Sequence, residues 1–213
     1  MGETLLRAYE YATDHQEEFL RALGEHLLLV GLALGIATLI CVPLGIVTSR
    51  SRAVAATVIN IFNSLRVVPS LAILFLAIPY FGLSLTSAWI ALTILALPPI
   101  LINTDTAFRT INPAIKEVAY GMGMTGQQRL WRVEAPLALP VIIAGIRTAT
   151  VEVIASATLA AFIGSGGLGI YVTRGFALYD NAILLVGAVP VALLALLAEM
   201  VMSRLQRAVQ PPA

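Results

Sequence analysis

Five long apolar stretches, parted by short polar segments, set the pattern of this chain. Leu27–Ser49 holds no charge over 23 residues. As a helix it would extend roughly 34 Å, enough to cross a bilayer. Ala53–Phe81 is the second stretch. Its first half is semi-polar, with Asn60, Asn63, Ser64 and Arg66, and it is interrupted by Pro69. That proline frees the carbonyl of Leu65 and bends the helix. The third, Ala88–Phe108, carries Pro98-Pro99, where a kink is expected. Pro136–Ile163 is the fourth, and Ala182–Met202, broken at Pro190, is the fifth. Ahead of them, residues 3–25 have a helical period, with Leu5, Leu6, Tyr9, Ala12, Gln16, Phe19, Leu20 and Leu23 along one stripe. An amphipathic helix over residues 1–26, lying at the membrane surface, is predicted. Gly31 and Gly35 form a GxxxG, readable as a close helix contact or as the ordinary abundance of glycine in membrane helices.

The longest structured polar segment is Arg109–Glu134. Asn112-Pro113 is a helix start, because Asn caps and Pro fits the first helical position. A short helix is predicted from Pro113 to about Met122, ended by the glycines at 121, 123 and 126. Thr125 with Gln128 forms a capping box for a second short helix. Pro136 then opens the fourth span. Two short helices projecting from a membrane domain make a lever.

Composition agrees with this division. The chain of 213 residues is 59% apolar and 12% charged, about half the charge of a soluble domain. One all-α integral membrane domain is expected over residues 27–207, with a tail at 208–213. The net charge of +1 argues against a nucleic-acid partner. Cys41 is the single cysteine, so no disulfide framework or metal set is available. Residues 1–26 carry six acids against two arginines and do not read as a secretory signal. Arg50, Arg52, Arg109, Lys116, Arg129, Arg132, Arg204 and Arg207 fall on one side of the spans; Arg7, Arg21 and Arg174 fall on the other. The positive-inside rule makes the first side cytoplasmic. The N-terminus is then outside, the C-terminus and the lever cytoplasmic.

Candidate chemistry is sparse. Gly164-Ser-Gly166-Gly-Leu-Gly169 matches G-x-G-x-x-G, but a membrane helix precedes it and no acid stands about 20 residues on, so it is not a dinucleotide site. It reads as a flexible external hinge or gate loop, or as a plain tight turn. Arg66, Asp105, Arg147, Glu152 and Glu199 fall within or near spans. Each costs roughly 2.5–3.5 kcal/mol at a helix centre and must face protein or water. Asp105 and Arg109 are one turn apart and can pair. Arg147 and Glu152 lie on different faces. Glu152 shares its face with Gly145, Thr148, Ala149 and Ser156, which suits a tight helix seam or a water-lined path. The histidines, His15 and His26, are expected outside the core. No facing pair of intramembrane aspartates is available for proteolysis.

The lever then becomes recognisable. Glu117-Val-Ala119, with Gly123 six residues after the glutamate and Pro136 beyond, resembles the E-A-A-x3-G cytoplasmic loop of permease subunits in binding-protein-dependent ABC importers. Val118 stands where that family usually has alanine. Pro43-Leu-Gly45-Ile, Arg66-Val-Val-Pro69-Ser-Leu-Ala72, Gly145-Ile-Arg147-Thr-Ala and Ala160–Gly169 resemble the permeases for quaternary-amine osmoprotectants: glycine betaine, choline and carnitine. The similarity covers about residues 27–207 and is weak over 1–26. It implies a five-helix permease of the small, methionine-permease-like type, with a coupling loop over 109–134.

By that resemblance Glu117, Ala119, Gly123, Met124 and Pro136 couple to a cytoplasmic ATPase dimer. Glu117 would offer charge, Ala119 close approach and Gly123 the turn. Asn63, Arg66, Glu152 and Ser156 are candidates for the translocation path, and Gly164, Gly166, Gly167 and Gly169 for the external gate. The implied partners are the ATPase, a second copy or sister permease, an external substrate-binding protein and the lipid bilayer. No catalytic residue and no cofactor on this chain is implied. A permease for methionine or another amino acid stays open as an alternative. So does a passive channel whose polar segment is only a connector. An intramembrane enzyme resting on Arg66 and Glu152 has no catalytic geometry behind it.

Overall fold

The computed structural model describes residues 2–210, and the regular structure among them is helical. Helix α1 spans Gly2–Asp14 and α2 spans Gln16–Ser49. Their boundary differs from the expected one. The break falls at His15, whose ring stacks on Tyr11 with centroids 4.4 Å apart. Residues 16–26 then run without interruption into the first apolar stretch. Gly24, the one weak helix former near the expected boundary, is tolerated within a helix at about 1 kcal/mol.

The apolar stripe of α1 is divided. Ala8 is buried, and Leu5, Tyr9 and Ala12 line a cleft with Leu185, Val189 and Pro190. Yet Leu5, Leu6, Tyr9 and Leu20 keep much of their surface exposed. Arg7 pairs with Asp180 at 3.0 Å, and Arg174 donates to the Tyr11 hydroxyl at 3.1 Å.

The second apolar stretch is two helices, α3 (Arg52–Val67) and α4 (Ser70–Phe81), bent by 96°. Pro69 causes the break, as its missing N–H requires. The Leu65 carbonyl is not left free: the Val68 amide turns back onto it at 3.2 Å. Helix α5 (Leu85–Arg109) passes unbroken through Pro98-Pro99. Just beyond the prolines the Asn103 side-chain amide donates to the Pro99 carbonyl at 2.8 Å and the Thr104 hydroxyl to that of Ile100 at 2.7 Å. Beyond the polar segment come α8 (Ala135–Ala157), a 3-10 turn at Leu159–Ile163, α9 (Gly169–Leu178) and α10 (Asn181–Ala208). The break expected at Pro190 is absent, for α10 is continuous across it. Helices in apolar surroundings tolerate proline where neighbouring groups take up the freed carbonyls.

Among the described residues four helical segments are long and apolar enough to cross a membrane, and the bent α3–α4 pair brings the number to five if it counts as one span. Helix α5 is the central member, with Ala91, Leu92, Ala96, Ile100 and Leu101 buried. It packs between α2 and α8, and α10 packs on α8 and α9. In lipid, apolar area gives helices little reason to associate, so close packing at small residues matters more. Ala33, Ala37, Cys41 and Gly45 form the inner stripe of α2. A Cβ on Gly45 would lie 2.6 Å from Thr104, and one on Gly145 would lie 2.6 Å from the Asn103 Cβ and 2.8 Å from the Pro99 carbonyl. Gly31 and Gly35 meet nothing within 4 Å. The GxxxG therefore faces outward, and the close seams lie at glycines outside it.

Candidate functional site: a clamped elbow and a mid-bundle cavity

Helix α6 (Pro113–Gly121) opens the elbow where the sequence places it. The Asn112 side-chain oxygen accepts from the Ala114 amide at 3.0 Å. At the other end Gly123 has φ +75°. Its amide donates to the Tyr120 carbonyl at 2.9 Å, and the Met124 amide to that of Ala119 at 3.2 Å. This is a Schellman closure, whose left-handed position suits glycine. Both arms of the capping box form: Gln128 N–H donates to the Thr125 hydroxyl at 3.2 Å, and Thr125 N–H to the Gln128 side-chain oxygen at 2.9 Å.

The second short helix is not a separate element. From α7 (Gly126–Arg129) the chain continues through a π turn, Leu130–Glu134, straight into α8. Pro136 consequently lies inside a helical path that begins at Gly126, and does not open it. The wider turn absorbs the register change just before a residue with no amide to donate.

On the elbow, Glu117 is exposed. Ile115, Val118, Tyr120, Met122 and Trp131 of the same segment also stand exposed. Met124 is half-buried, and Ala119 is buried at 3%. Ala119 thus faces its own chain.

The root of the elbow is fixed by charges that sequence reasoning missed. Glu134 is fully buried. It receives both Arg50 nitrogens, Arg50 standing just past the end of α2, and Arg129 Nε at 3.1 Å. Lys116 donates to the Phe108 carbonyl at 2.9 Å. Burial, first among the causes, holds its ammonium below the ordinary lysine range; Glu134 opposes the shift, while Arg50, Arg129 and Arg109 add to it. Arg109 takes Asp105 with two bonds, at 3.0 and 2.9 Å, as its spacing predicts, and also reaches the Thr48 carbonyl at 3.1 Å. The ends of α2 and α5 and the start of α8 are thereby tied to one rigid corner. Beneath it lies a small apolar core of Ala107, Phe108, Ile111, Ala138 and Ile142.

Of the candidate path residues, Arg66, Glu152 and Ser156 come together. They line a cavity of about 190 Å³ beside the α3–α4 bend, with Val68, Pro69, Ser70 and Pro98. Asn63 is exposed on α3 and is not part of its wall. Arg147 pairs with Glu199 at 3.2 Å, away from Glu152.

The glycine loop is packed. Gly164, Gly166 and Gly167 have φ near +75°, while Ser165, Gly167, Leu168 and Gly169 are buried. The Glu25 carboxylate accepts from the Gly167 amide at 3.1 Å. His26 is fully buried beside the loop, 3.2 Å from the Ile154 carbonyl, contrary to its expected place outside the core. The loop is thus a docked turn in this structure.

The family model described as "Binding-protein-dependent transport system inner membrane component" matches residues 41–211. The chain belongs to that family. It is a multi-pass inner-membrane component of an ABC importer, a transport subunit rather than an enzyme, and works with an ATPase and a substrate-binding protein. It is similar to the glycine betaine/carnitine/choline transport system permease protein OpuCB of Bacillus subtilis, with 42% identity covering 91% of this chain and 89% of that protein. The choline transport system permease protein OpuBB of the same organism is 42% identical over 99% of this chain and 90% of its own length. The carnitine transport permease protein OpuCB of Listeria monocytogenes is 46% identical, covering 84% and 82%. Among solved structures, an inward-facing form of the MetNI methionine ABC transporter superposes with TM-score 0.82 at 24% identity, covering 93% of this chain and 99% of that one. That likeness establishes the small-permease fold.

Proposed function

We propose that this permease forms the membrane path of an ATP-driven importer for quaternary-amine osmoprotectants such as glycine betaine, choline or carnitine. Relatives at 42–46% identity carry those substrates in their names, whereas the methionine alternative rests on fold likeness at 24% identity. The basic end of the bundle is cytoplasmic, the N-terminus outside and the C-terminus inside, by the distribution of lysine and arginine. Residues 27–207 act as the transmembrane unit, with 1–26 leading into it.

The observation that supports coupling best is the elbow. It exposes Glu117 among apolar side chains while ion pairs clamp its root to three long helices. An ATPase gripping Glu117 and its neighbours would move those helices together. Gly123 and Met124 close the turn, and Pro136 follows the π turn that carries movement into α8. One copy encloses little, so two copies, or this chain and a sister permease, face one another across the path. The packed glycine loop at Gly164, Gly166, Gly167 and Gly169 would act as the external gate when released from Glu25.

The test is uptake into proteoliposomes holding the permease, its ATPase and its binding protein. Glu117→Lys and Gly123→Pro should abolish ATP-dependent uptake and co-purification of the ATPase while the permease stays in the membrane. Normal uptake by both variants would refute the coupling role.

A further inference from the structure

The mid-bundle cavity carries an inference that rests on the import function proposed above and adds a chemical preference to it. Arg66 and Glu152 both line that cavity. Glu152 is half-buried and Arg66 exposed, and among the described residues neither side chain has an ion-pair or hydrogen-bond partner, although the other buried or half-buried charges do, as at Asp105–Arg109, Glu134–Arg50 and Arg147–Glu199. Ionised groups carried on membrane-spanning helices are costly unless they face water, a partner or a ligand. Their lack of mutual pairing leaves one positive and one negative group facing one volume.

The surrounding backbone fits the same reading. Helix α4 begins at Ser70 without a side-chain cap, and Val68, Pro69 and Ser70 form part of the cavity wall. Amides at a helix start favour an anion, so the positive side of the cavity has two sources. Broken helices near the bilayer middle place such groups on a transport path. No aromatic side chain lines the cavity, so a quaternary ammonium would be held there by charge and not by a cation–π cage.

We propose that this cavity is a transit site for zwitterions, in which Arg66 and the start of α4 receive the carboxylate and Glu152 faces the quaternary ammonium. Glycine betaine and carnitine carry both groups, while choline has the ammonium and a hydroxyl. The site therefore favours the first two over choline, independently of the external binding protein.

The experiment measures uptake of glycine betaine, carnitine and choline by the reconstituted complex, each supplied on saturating binding protein. Arg66→Gln should lower betaine and carnitine uptake relative to choline by about fivefold, the loss of one partly exposed charge contact. Arg66→Lys should restore most of that ratio. Glu152→Gln should lower all three. Equal loss of all three substrates in Arg66→Gln, or an unchanged ratio, overturns the zwitterion site while leaving the import function standing. A native complex that moves none of the three removes the import function itself, and the site with it.

Discussion

Replacing Glu134 tests how the elbow is held. Its carboxylate is fully buried, while the side chains of its partners Arg50 and Arg129 keep 42% and 27% of their surface exposed. Removing one member of a fully buried pair costs about 3–5 kcal/mol. Here the two arginines can turn to water, so Glu134→Ala should cost about 2 kcal/mol. For a chain of this length that corresponds to a fall in Tm of roughly 4–8 °C in detergent. The decisive form is a double-substitution cycle with Arg50→Ala. If the ion pair joins α2 to α8, the double variant should be less destabilised than the sum of the singles by about 1–2 kcal/mol. Single effects that add within about 0.5 kcal/mol would refute the clamp. Uptake supplies a second readout: the Glu134 variant should hydrolyse ATP with less substrate moved per turnover, since the elbow can then yield without carrying α2 along.

Other outcomes follow from particular contacts. Gly123→Ala forces a left-handed residue at the elbow and should cost about 1–2 kcal/mol, read as a lower Tm with binding to the ATPase weakened. Gly145→Leu pushes a side chain into Asn103 and the Pro99 carbonyl and should destabilise by about 1–3 kcal/mol or more, whereas Gly31→Leu, with open space beside it, should leave the Tm of the isolated chain unchanged. Glu25→Gln removes the charged acceptor of the Gly167 amide, and hydrogen exchange at residues 164–168 should speed up by about tenfold, with no change at the α6 amides.

Much of this architecture was readable because its causes are local. Asn112, Thr125 with Gln128, and Asp105 with Arg109 act across two to four residues, and each forms the expected contact. Pro69 breaks its helix for a reason carried by one residue. What escaped depends on distance along the chain. Glu134 and Arg50 are 84 residues apart and His26 meets Ile154 across 128, so spacing held no sign of either. Of the two readings of Gly31 and Gly35, no close contact forms within the chain, while the close approaches fall at Gly45 and Gly145, which only the neighbouring helix identifies. A proline alone does not fix a break: Pro190 lies within a continuous helix, and Pro136 within the helical path that begins at Gly126. For the candidate site, the elbow's ends were legible, but the inward turn of Ala119 was not. The cavity brought Arg66, Glu152 and Ser156 together and left Asn63 aside because the 96° bend, not helix period, sets that wall.

Val118 is 63% exposed on α6 beside Glu117, and the native Cys41 is buried, so Val118→Cys provides a usable single handle. A membrane-impermeant thiol reagent should label it in inside-out vesicles and not in right-side-out ones, and oxidation of the assembled complex should cross-link it to an ATPase carrying a surface cysteine. Labelling from the outer face, or a complex that forms and transports with Val118→Cys never coming within cross-linking reach of the ATPase, would contradict the claim that this elbow couples the two.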